Sequence, residues 1–497
     1  MDIGIWISLI LYFGLMILIG VYAAKKSTSS SEEYMLGGRN LHPAVAALSA
    51  GASDMSGWLL MGLPGALYAA GMVEAWIGIG LFVGALINWV VVAPRLREQT
   101  ERYDNALTIP EFLAKRFPSR AMALRMVSAV IVVVFFIVYT ASGLVAGGKL
   151  FASAFGDLIN IGGMSDYIFG VWFTLAIVLT YTVIGGFLAV SLTDFVQGCI
   201  MMLALVIMPV VILTTGQGEG VATAGERLQE IDPTYLSLFE GITIAGLVSA
   251  LAWGLGYFGQ PHIIVRFMAV RSVADVAKAR NIGMSWMAIS VLGAVGLGIF
   301  GRAYIERNGI AIEDPETIFI VLAELLFHPL VTGFLYAALL AAIMSTISSQ
   351  LLVSSSSLTE DFYRLFLNKE ASNKQLVTVG RVSVLLVGVI AALMANDPNA
   401  QVLGLVSNAW AGFGAAFGPM IILSLTWKKM SGAGAIAGML TGAVTVIGWI
   451  GLGWGDSFLG GPGIYEIIPG FIFAWLAIVV VSLKTPTAGE YRPLKEY

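Results

Sequence analysis

The stretch 48–58 combines residues that can bind a cation with residues that interrupt a helix. It reads Leu-Ser-Ala-Gly-Ala-Ser-Asp-Met-Ser-Gly-Trp and lies inside an apolar segment, 43–70, that is long enough to cross a membrane. A carboxylate at the centre of a membrane helix costs about 2.5–3.5 kcal/mol, so Asp54 is expected to face a cavity, a partner or an ion. The alternative is a packing carboxylate that is protonated or paired with backbone. The small neighbours favour an ion, because they loosen the helix there.

Asp54 is predicted to be the only ionisable residue deep within an apolar span. The others fall near span ends, where a side chain can reach the interface: Glu74, Lys149, Asp166, Arg302, Arg381 and Glu466.

Two more polar or broken stretches stand out in the apolar background. The stretch 253–261 reads Trp-Gly-Leu-Gly-Tyr-Phe-Gly-Gln-Pro, and its three glycines and proline predict an interrupted helix. The stretch 345–350 reads Ser-Thr-Ile-Ser-Ser-Gln, late in an alanine-rich helix. Interrupted membrane helices are tolerated where the freed backbone groups face protein or a watery cavity, and transporters place their sites there. For the second break the alternative is a glycine-rich packing face.

A monovalent cation needs hard oxygen ligands. Beside the first break Ala52 and Met55 can offer backbone carbonyls, and Ser345 and Thr346 can offer hydroxyls from a distant helix. Serine and threonine in membrane helices more often bond their own backbone or join helices, so the pair alone does not define a site.

The aromatic residues of the second break suit a small, partly apolar solute. Trp253 and Tyr257 are four residues apart and share a face if that half remains helical. A tyrosine hydroxyl or a half-helix terminus can bind a carboxylate. Ordinary aromatic packing is the competing interpretation, and Tyr139 is a third aromatic at membrane depth.

The sequence offers no constellation for catalysis. The phosphate-binding pattern G-x-x-x-x-G-K-[ST] does not occur, so ATP hydrolysis by this chain is not expected. The three histidines, His42, His262 and His328, are scattered at span edges, and the single cysteine, Cys199, excludes an intrachain disulfide framework. An enzyme is therefore not expected.

Composition places the 497 residues in a membrane. The chain is 58% hydrophobic and 12% charged, with a mean hydropathy of +0.86, which predicts an all-α polytopic membrane protein. The first apolar span lacks a signal-peptide pattern and should be retained.

A window of about 20 residues predicts thirteen membrane helices. They cover 3–24, 43–70, 72–94, 126–150, 166–189, 195–215, 241–260, 283–304, 329–352, 377–396, 402–426, 432–452 and 464–483.

The positions of lysine and arginine predict the orientation. With the N-terminus outside and the C-terminus in the cytoplasm, only Lys149, Arg227, Arg302 and Arg307 of the 27 basic residues lie outside. The two broken helices are then the second and the seventh, five helices apart, which is the spacing of a five-plus-five inverted repeat. The predicted divisions are 1–42 (first helix and cytoplasmic loop), 43–215 (first repeat), 216–426 (external loop and second repeat) and 427–497 (last two helices and a short tail).

Several motifs resemble those of the sodium:solute symporter family over nearly the whole chain. They are the sequences at 34–39, 47–65, 253–262, 403–407 and 409–419. The resemblance implies a leucine-transporter-type fold with one extra N-terminal and two extra C-terminal helices. It also implies Na⁺-driven uptake, and the motifs are most similar to those of family members that take L-proline. After Thr346 the chain reads Ile-Ser-Ser-Gln where the family pattern has Leu-Ser-Cys-Gln, and 305–328 matches least.

The resemblance also implies roles for individual residues. A sodium site would use the carbonyls of Ala52, Met55 and Ala342 and the hydroxyls of Ser345 and Thr346, with Asp54 required for sodium. Substrate binding would involve Tyr139, Trp253, Tyr257 and Pro261, and gating or coupling would involve Arg39, Ser56 and Gly57.

The expected function is uptake of L-proline with Na⁺ by alternating access, from the bilayer of a bacterial inner membrane. The alternatives are a Na⁺-coupled symporter of another small amino acid, a carboxylate or a sugar, and a passive cation-selective channel. No nucleic acid and no obligate protein partner are expected.

Overall fold

A computed structural model describes residues 2–26, 29–155, 163–215 and 220–485. These residues are almost entirely helical, and their only strands are the two-residue pair β1 (Ser457–Phe458) and β2 (Gly461–Pro462). The predicted C-terminal tail, with Arg492 and Lys495, lies outside the described residues.

The described residues of the first half of the chain form ten α-helices. They are α1 (Ile3–Lys26), α2 (Ser31–Leu36), α3 (Pro43–Asp54), α4 (Leu63–Ala70), α5 (Ala75–Ile87), α6 (Ala93–Arg102), α7 (Ile109–Arg116), α8 (Ala121–Ala154), α9 (Asp166–Thr214) and α10 (Val221–Ile231).

The second half, described as far as residue 485, forms nine more α-helices. They are α11 (Ile244–Leu251), α12 (Pro261–Ala269), α13 (Val276–Arg307), α14 (Ile318–Leu326), α15 (Pro329–Ser356), α16 (Asn373–Met394), α17 (Val402–Thr426), α18 (Gly432–Gly451) and α19 (Ile467–Lys484).

Ten helical stretches in the described part of the chain are long and apolar enough to cross a membrane, and two shorter apolar stretches, Trp58–Ala70 and Ile244–Gly259, accompany them. The chain is therefore a multi-pass membrane protein. Burial separates an inner layer from an outer one: 83% and 89% of the apolar windows of α15 and α17 are buried, against 28% for α1 and 33% for α19. The helices that carry the predicted hydroxyl pair and the 409–419 motif thus lie at the centre of the bundle.

The first predicted break lies where the sequence places it. Helix α3 ends at Asp54, and Met55 follows with a non-helical ψ of 69°. The Ser56 amide donates to Asp54 O at 2.8 Å instead of continuing the i to i−4 ladder to Ala52. The chain resumes as a π-helix, Trp58–Gly62, before α4. The carbonyl of Ala52 is consequently free for another partner.

The second break is confirmed as well. Helix α11 passes into a 3₁₀ helix, Ala252–Gly259, and Gln260 is extended before Pro261 starts α12. Glycine is required here because the chain touches its neighbours: a Cβ on Gly254 would overlap the Gly80 carbonyl, and one on Gly256 would overlap the Trp410 indole. Small residues therefore let the broken segment pack directly on α5 and α17.

Helix α9 contains both predicted spans 166–189 and 195–215 in one element. It bends at Gly186, whose φ of 61° and ψ of −150° are non-helical. Such a positive φ favours glycine, and a Cβ there would also meet the Tyr34 ring. The bend, rather than a loop, separates the two halves.

Candidate functional site

The hydroxyl pair of α15 lies against the first break. Ser345 Oγ donates to Ala52 O at 2.7 Å, and Ala342 O lies 3.2 Å from the same hydroxyl. Thr346 Oγ1 is 3.4 Å from Ala52 O and 3.3 Å from Ala342 O. Both side chains are buried. Two hydroxyls and two carbonyls therefore meet in one cluster of hard oxygens, the oxygen cluster, as the sequence predicts.

Met55 is fully buried beside this cluster, at the first residue after α3. The hydroxyl pair donates to Ala52 and Ala342 and not to Met55. The structure thus brings together four of the predicted sodium ligands through direct contacts and places Met55 next to them in the chain.

The carboxylate of Asp54 joins the two breaks. It is 3% exposed, and its Oδ2 accepts a hydrogen bond from the Tyr257 hydroxyl. Its Oδ1 has no hydrogen-bond partner among the described residues. Asp54, Tyr257 and Asn88 all line a small cavity of about 20 Å³. The side-chain amide of Asn88 donates to Tyr257 O at 3.2 Å. Asp54 is held by an aromatic of the second break rather than by the hydroxyl pair.

Two of the four predicted substrate residues, Trp253 and Tyr257, contact Trp410, which was not predicted as a site residue. The Trp410 indole donates to Trp253 O at 2.7 Å, and its ring meets Tyr257 edge to face at 5.0 Å. The segment is a 3₁₀ helix with about three residues per turn, so residues four apart do not share a face. The ring of Trp253 stacks on Tyr465, with centroids 5.3 Å apart, whereas the ring of Tyr257 contacts Trp410. These contacts of Trp410 and Tyr465 join residues far apart in the chain, and no local sequence pattern predicts them.

The remaining two predicted substrate residues lie on other walls of the same region. Tyr139 is fully buried, and its ring is 5.4 Å from His262. Pro261 lines a separate cavity of about 20 Å³, together with Met35 and Thr108. The structure therefore places Tyr139 beside His262, the residue that follows Pro261 at the start of α12, while Pro261 itself lines the separate cavity.

A large cavity, the vestibule, opens beside Trp253. Its volume is about 1120 Å³, and α4, α5, α11, α17 and the connection from α18 to α19 contribute to its walls. Glu316 lies on its wall and binds Lys149 Nζ at 3.1 Å and the amides of Val402 and Leu403 at 3.0 Å each. Glu316 thus satisfies backbone donors at the N-terminus of α17.

The expectation that Asp54 is the only deep ionisable residue is wrong. Asp194 and Arg266 are both fully buried, with Asp194 Oδ2 3.2 Å from Arg266 Nη2. Ser49 donates to Asp194 at 2.7 Å, and Arg266 donates to Ser349 at 2.6 Å. Both residues lie outside the predicted spans, Asp194 between 166–189 and 195–215 and Arg266 in the predicted cytoplasmic segment after 241–260. The bent α9 and the second broken helix nevertheless bury both charges inside the protein.

This ion pair is connected to the oxygen cluster. The Ser349 hydroxyl donates to the Ser345 carbonyl at 2.7 Å, one helical turn away in α15. A run of four serines and threonines in 345–349 is the only local hint of this network.

The predicted gating residues lie in two places. Ser56 and Gly57 are buried at the first break, where a Cβ on Gly57 would lie 3.0 Å from the Ala146 side chain. Arg39 lies elsewhere: it donates to Thr100 Oγ1 at 3.1 Å and to Met268 O at 2.9 Å. Burial lowers the pKa of Arg39 to about 10. Arg39 therefore fastens the α2 region to α6 and the end of α12.

The model of the sodium:solute symporter family matches residues 34–442. The chain belongs to the sodium:solute symporter family. As a member it is a membrane transporter and not an enzyme, and Na⁺ is its coupling ion.

Curated relatives of this symporter match over nearly their whole length. The osmoregulated proline transporter OpuE of Bacillus subtilis is 53% identical over 494 residues, covering 99% of this chain and 97% of that protein. The high-affinity proline transporter PutP of the same organism is 52% identical, covering 96% and 97%. The sodium/proline symporter of Staphylococcus aureus is 50% identical, covering 98% and 94%.

Solved structures share the fold at low sequence identity. A Na⁺-coupled sialic acid symporter in a substrate-bound, outward-open state superposes with a TM-score of 0.79 at 18% identity, covering 98% of this chain and 99% of that one. MHP1, a nucleobase-cation-symport-1 family transporter, gives a TM-score of 0.56 at 14% identity, covering 93% and 97%. These neighbours are of the leucine-transporter fold type.

Proposed function

We propose that this symporter takes up L-proline together with Na⁺ by alternating access. The observation that carries the proposal is the oxygen cluster at the first helix break, next to the Asp54–Tyr257 hydrogen bond. The names of the three relatives, two proline transporters and a sodium/proline symporter, support proline as the solute.

The proposed sodium ligands are the carbonyls of Ala52, Met55 and Ala342 and the hydroxyls of Ser345 and Thr346. Hard oxygen ligands suit a small alkali cation, and a broken membrane helix is where transporters expose carbonyls to ions. Asp54 supplies the negative charge of the region. Because its carboxylate bonds Tyr257, we assign it to the coupling of sodium and solute, beside the oxygen cluster.

The proposed proline site lies between Tyr139, Trp253 and Tyr257, with Pro261 beyond the break. Aromatic walls suit a pyrrolidine ring. Half-helix termini at the second break suit the solute's carboxylate.

Coupling follows from the contact between the two breaks. Sodium at the oxygen cluster would hold α3 against α15, and the Asp54–Tyr257 hydrogen bond would transmit that position to the solute site. Each ligand then stabilises the conformation that the other binds better, which makes the effect reciprocal. Ser56 and Gly57 would permit movement at the first break, and Arg39 would fasten one gate.

The proposed membrane arrangement has thirteen crossings in a bacterial inner membrane, with the N-terminus outside and the C-terminus in the cytoplasm. It counts α9 as two crossings that meet at the Gly186 bend, and each broken helix as one. The five-plus-five repeat then covers 43–215 and 216–426, with 1–42 before it and 427–497 after it. In this orientation the vestibule faces outward. Each sodium entering across 100 mV contributes about 2.3 kcal/mol, which corresponds to roughly fifty-fold accumulation of a neutral solute.

The test is uptake of labelled proline into proteoliposomes with imposed Na⁺ or H⁺ gradients. We expect uptake with an inward Na⁺ gradient, loss of Na⁺ stimulation in Asp54→Asn, and a weaker proline affinity in Trp253→Ala. Competition by a panel of unlabelled amino acids, carboxylates and sugars identifies the solute. If another compound competes better than proline, the assignment of the solute is wrong. Sodium current in sealed vesicles without solute would instead support a channel.

A further inference from the structure

The vestibule is bordered by carboxylates. Its described lining contains Glu74, Glu316, Asp456 and Glu466 and contains no lysine or arginine. A cleft with one sign of charge and low-dielectric walls focuses its field and raises the local concentration of counter-ions. The vestibule therefore favours positively charged groups over negative ones.

Glu466 differs from the other acidic residue buried in this lining. Glu316 binds Lys149 and two amides at the start of α17. Glu466 is 5% exposed, yet its Oε1 has no hydrogen-bond partner in the described part of the chain, and no basic residue described there forms an ion pair with it. A buried carboxylate oxygen without a partner carries a desolvation cost that a bound cation would offset.

Tyr465, the residue before Glu466, fixes the position of Glu466 beside the proposed solute path. The Tyr465 amide donates to Ser249 Oγ at 3.1 Å, and its hydroxyl donates to Ser407 O at 2.7 Å. Its ring stacks on Trp253 at 5.3 Å. These contacts tie the start of α19 to α11 and α17, so the carboxylate is held one residue away from an aromatic pair.

We propose that Glu466 forms an outer subsite for a cationic group, which occupies it before passing Trp253. The group is either Na⁺ or the ammonium of the amino acid, since both present a positive charge to a carboxylate. The Trp253–Tyr465 pair supplies an apolar surface beside that charge, on which a pyrrolidine ring can pack. The subsite rests on the proposed function for the outward direction and for the two ligands.

The experiment compares Glu466→Gln with the matched control Glu313→Gln in proteoliposomes. Glu313 is exposed on the same connection as Glu316 and does not line the vestibule. Initial uptake rates are measured against proline concentration at saturating Na⁺ and against Na⁺ concentration at saturating proline. We expect Glu466→Gln to raise one half-saturating concentration about tenfold, with the maximal rate within about twofold of the parent.

The two arms identify the source of the charge. A rise in the half-saturating proline concentration, with weaker competition by pyrrolidine, assigns the subsite to the ammonium, because pyrrolidine keeps that cation and lacks the carboxylate. A rise in the half-saturating Na⁺ concentration alone assigns it to sodium. Unchanged values in both arms, an equal change in Glu313→Gln, or a fall in maximal rate alone overturns the proposal.

A second variant, Glu466→Asp, keeps the proposal testable if Glu466→Gln does not fold. Glu466→Asp keeps the charge and withdraws it by one methylene, so the same half-saturating concentration should rise about two- to threefold; no change overturns the subsite. Uptake by the parent and by Glu313→Gln tests the proposed function separately, because neither depends on Glu466.

Discussion

The hydroxyl of Tyr257 donates a hydrogen bond to Asp54 Oδ2, so a side-chain contact joins the two broken helices at their breaks. The two residues are 203 positions apart in the chain. One stands at the end of α3, next to the carbonyl that meets the hydroxyl pair, and the other stands against Trp410 in the solute region. A displacement of one break therefore displaces the residue that is hydrogen-bonded to it at the other break.

Replacing Tyr257 with phenylalanine should uncouple sodium from proline. A hydrogen bond to a charged group contributes about 1.5–3 kcal/mol, and its loss leaves both oxygens of Asp54 without a donor. We expect the half-saturating Na⁺ concentration of proline uptake to rise by about tenfold or more. Tyr235→Phe is the matched control, because Tyr235 is also buried and bonds a carbonyl, Leu67 O, at 2.7 Å. A normal sodium dependence in Tyr257→Phe would show that the contact does not couple the sites.

The hydroxyl pair should act as one unit. Ser345→Ala and Thr346→Val each remove an oxygen from the oxygen cluster, and each should weaken sodium activation about tenfold or more, since a polar ligand is lost from a buried site. In the double variant, the loss of sodium-binding free energy should be smaller than the sum of the losses in the two single variants, because both hydroxyls bind the same ion. Sodium binding is measured by titrating uptake and by sodium-dependent thermal stabilisation of the purified protein.

Ser348→Ala is the control for the hydroxyl pair. Ser348 lies in the same helix, and its hydroxyl donates to the Ser345 carbonyl at 3.1 Å and not to the Ala52 or Ala342 carbonyl. If Ser348→Ala weakens sodium activation as much as Ser345→Ala does, the effect belongs to the helix and not to the ligands.

The positions of these oxygens could be predicted from the sequence, whereas their supporting contacts could not. Glycine and proline favour helix breaks, and Pro261 begins α12 directly after the second break. They do not break every helix, because Pro209 and Pro419 lie inside α9 and α17. Trp410 and Tyr465 reach the solute region only through the packing of α17 and α19 on the second break. The spacing of residues within one segment does not encode such contacts.

The error about buried charge has a similar cause. Hydropathy treats each span as a straight rod, and it left Asp194 and Arg266 outside the predicted spans, in connecting segments. The bend at Gly186 and the break at Gln260 change the direction of the chain just before these residues. A pair of opposite charges that follows such breaks is the signal that could have located the network.

Removing one partner of the Asp194–Arg266 pair should destabilise the protein strongly. An uncompensated buried charge costs about 3–5 kcal/mol, whereas replacing both charges leaves none uncompensated. We expect Asp194→Asn and Arg266→Met each to lower the thermal midpoint of the purified protein, and the double variant to recover part of the loss. Disruption of the exposed pair Arg271–Asp275 by Asp275→Asn should leave the midpoint unchanged. A double variant less stable than both single variants would mean that the serine network, not the ion pair, holds this region together.

Proline uptake should depend on pH through Glu466, which lines the vestibule one residue before α19 begins. Burial, with a further contribution from Asp456, raises the pKa of Glu466 to about 6. Its carboxyl is therefore charged above about pH 7 and neutral below about pH 5. The half-saturating concentration of the cation that uses the outer subsite should rise as the external pH falls through 6. Glu466→Gln should remove that dependence, since its amide does not titrate. The measurement clamps internal and external pH to the same value, so that no proton gradient drives transport. A pH profile that is identical in the parent and in Glu466→Gln would assign the titration to another group and separate Glu466 from cation capture.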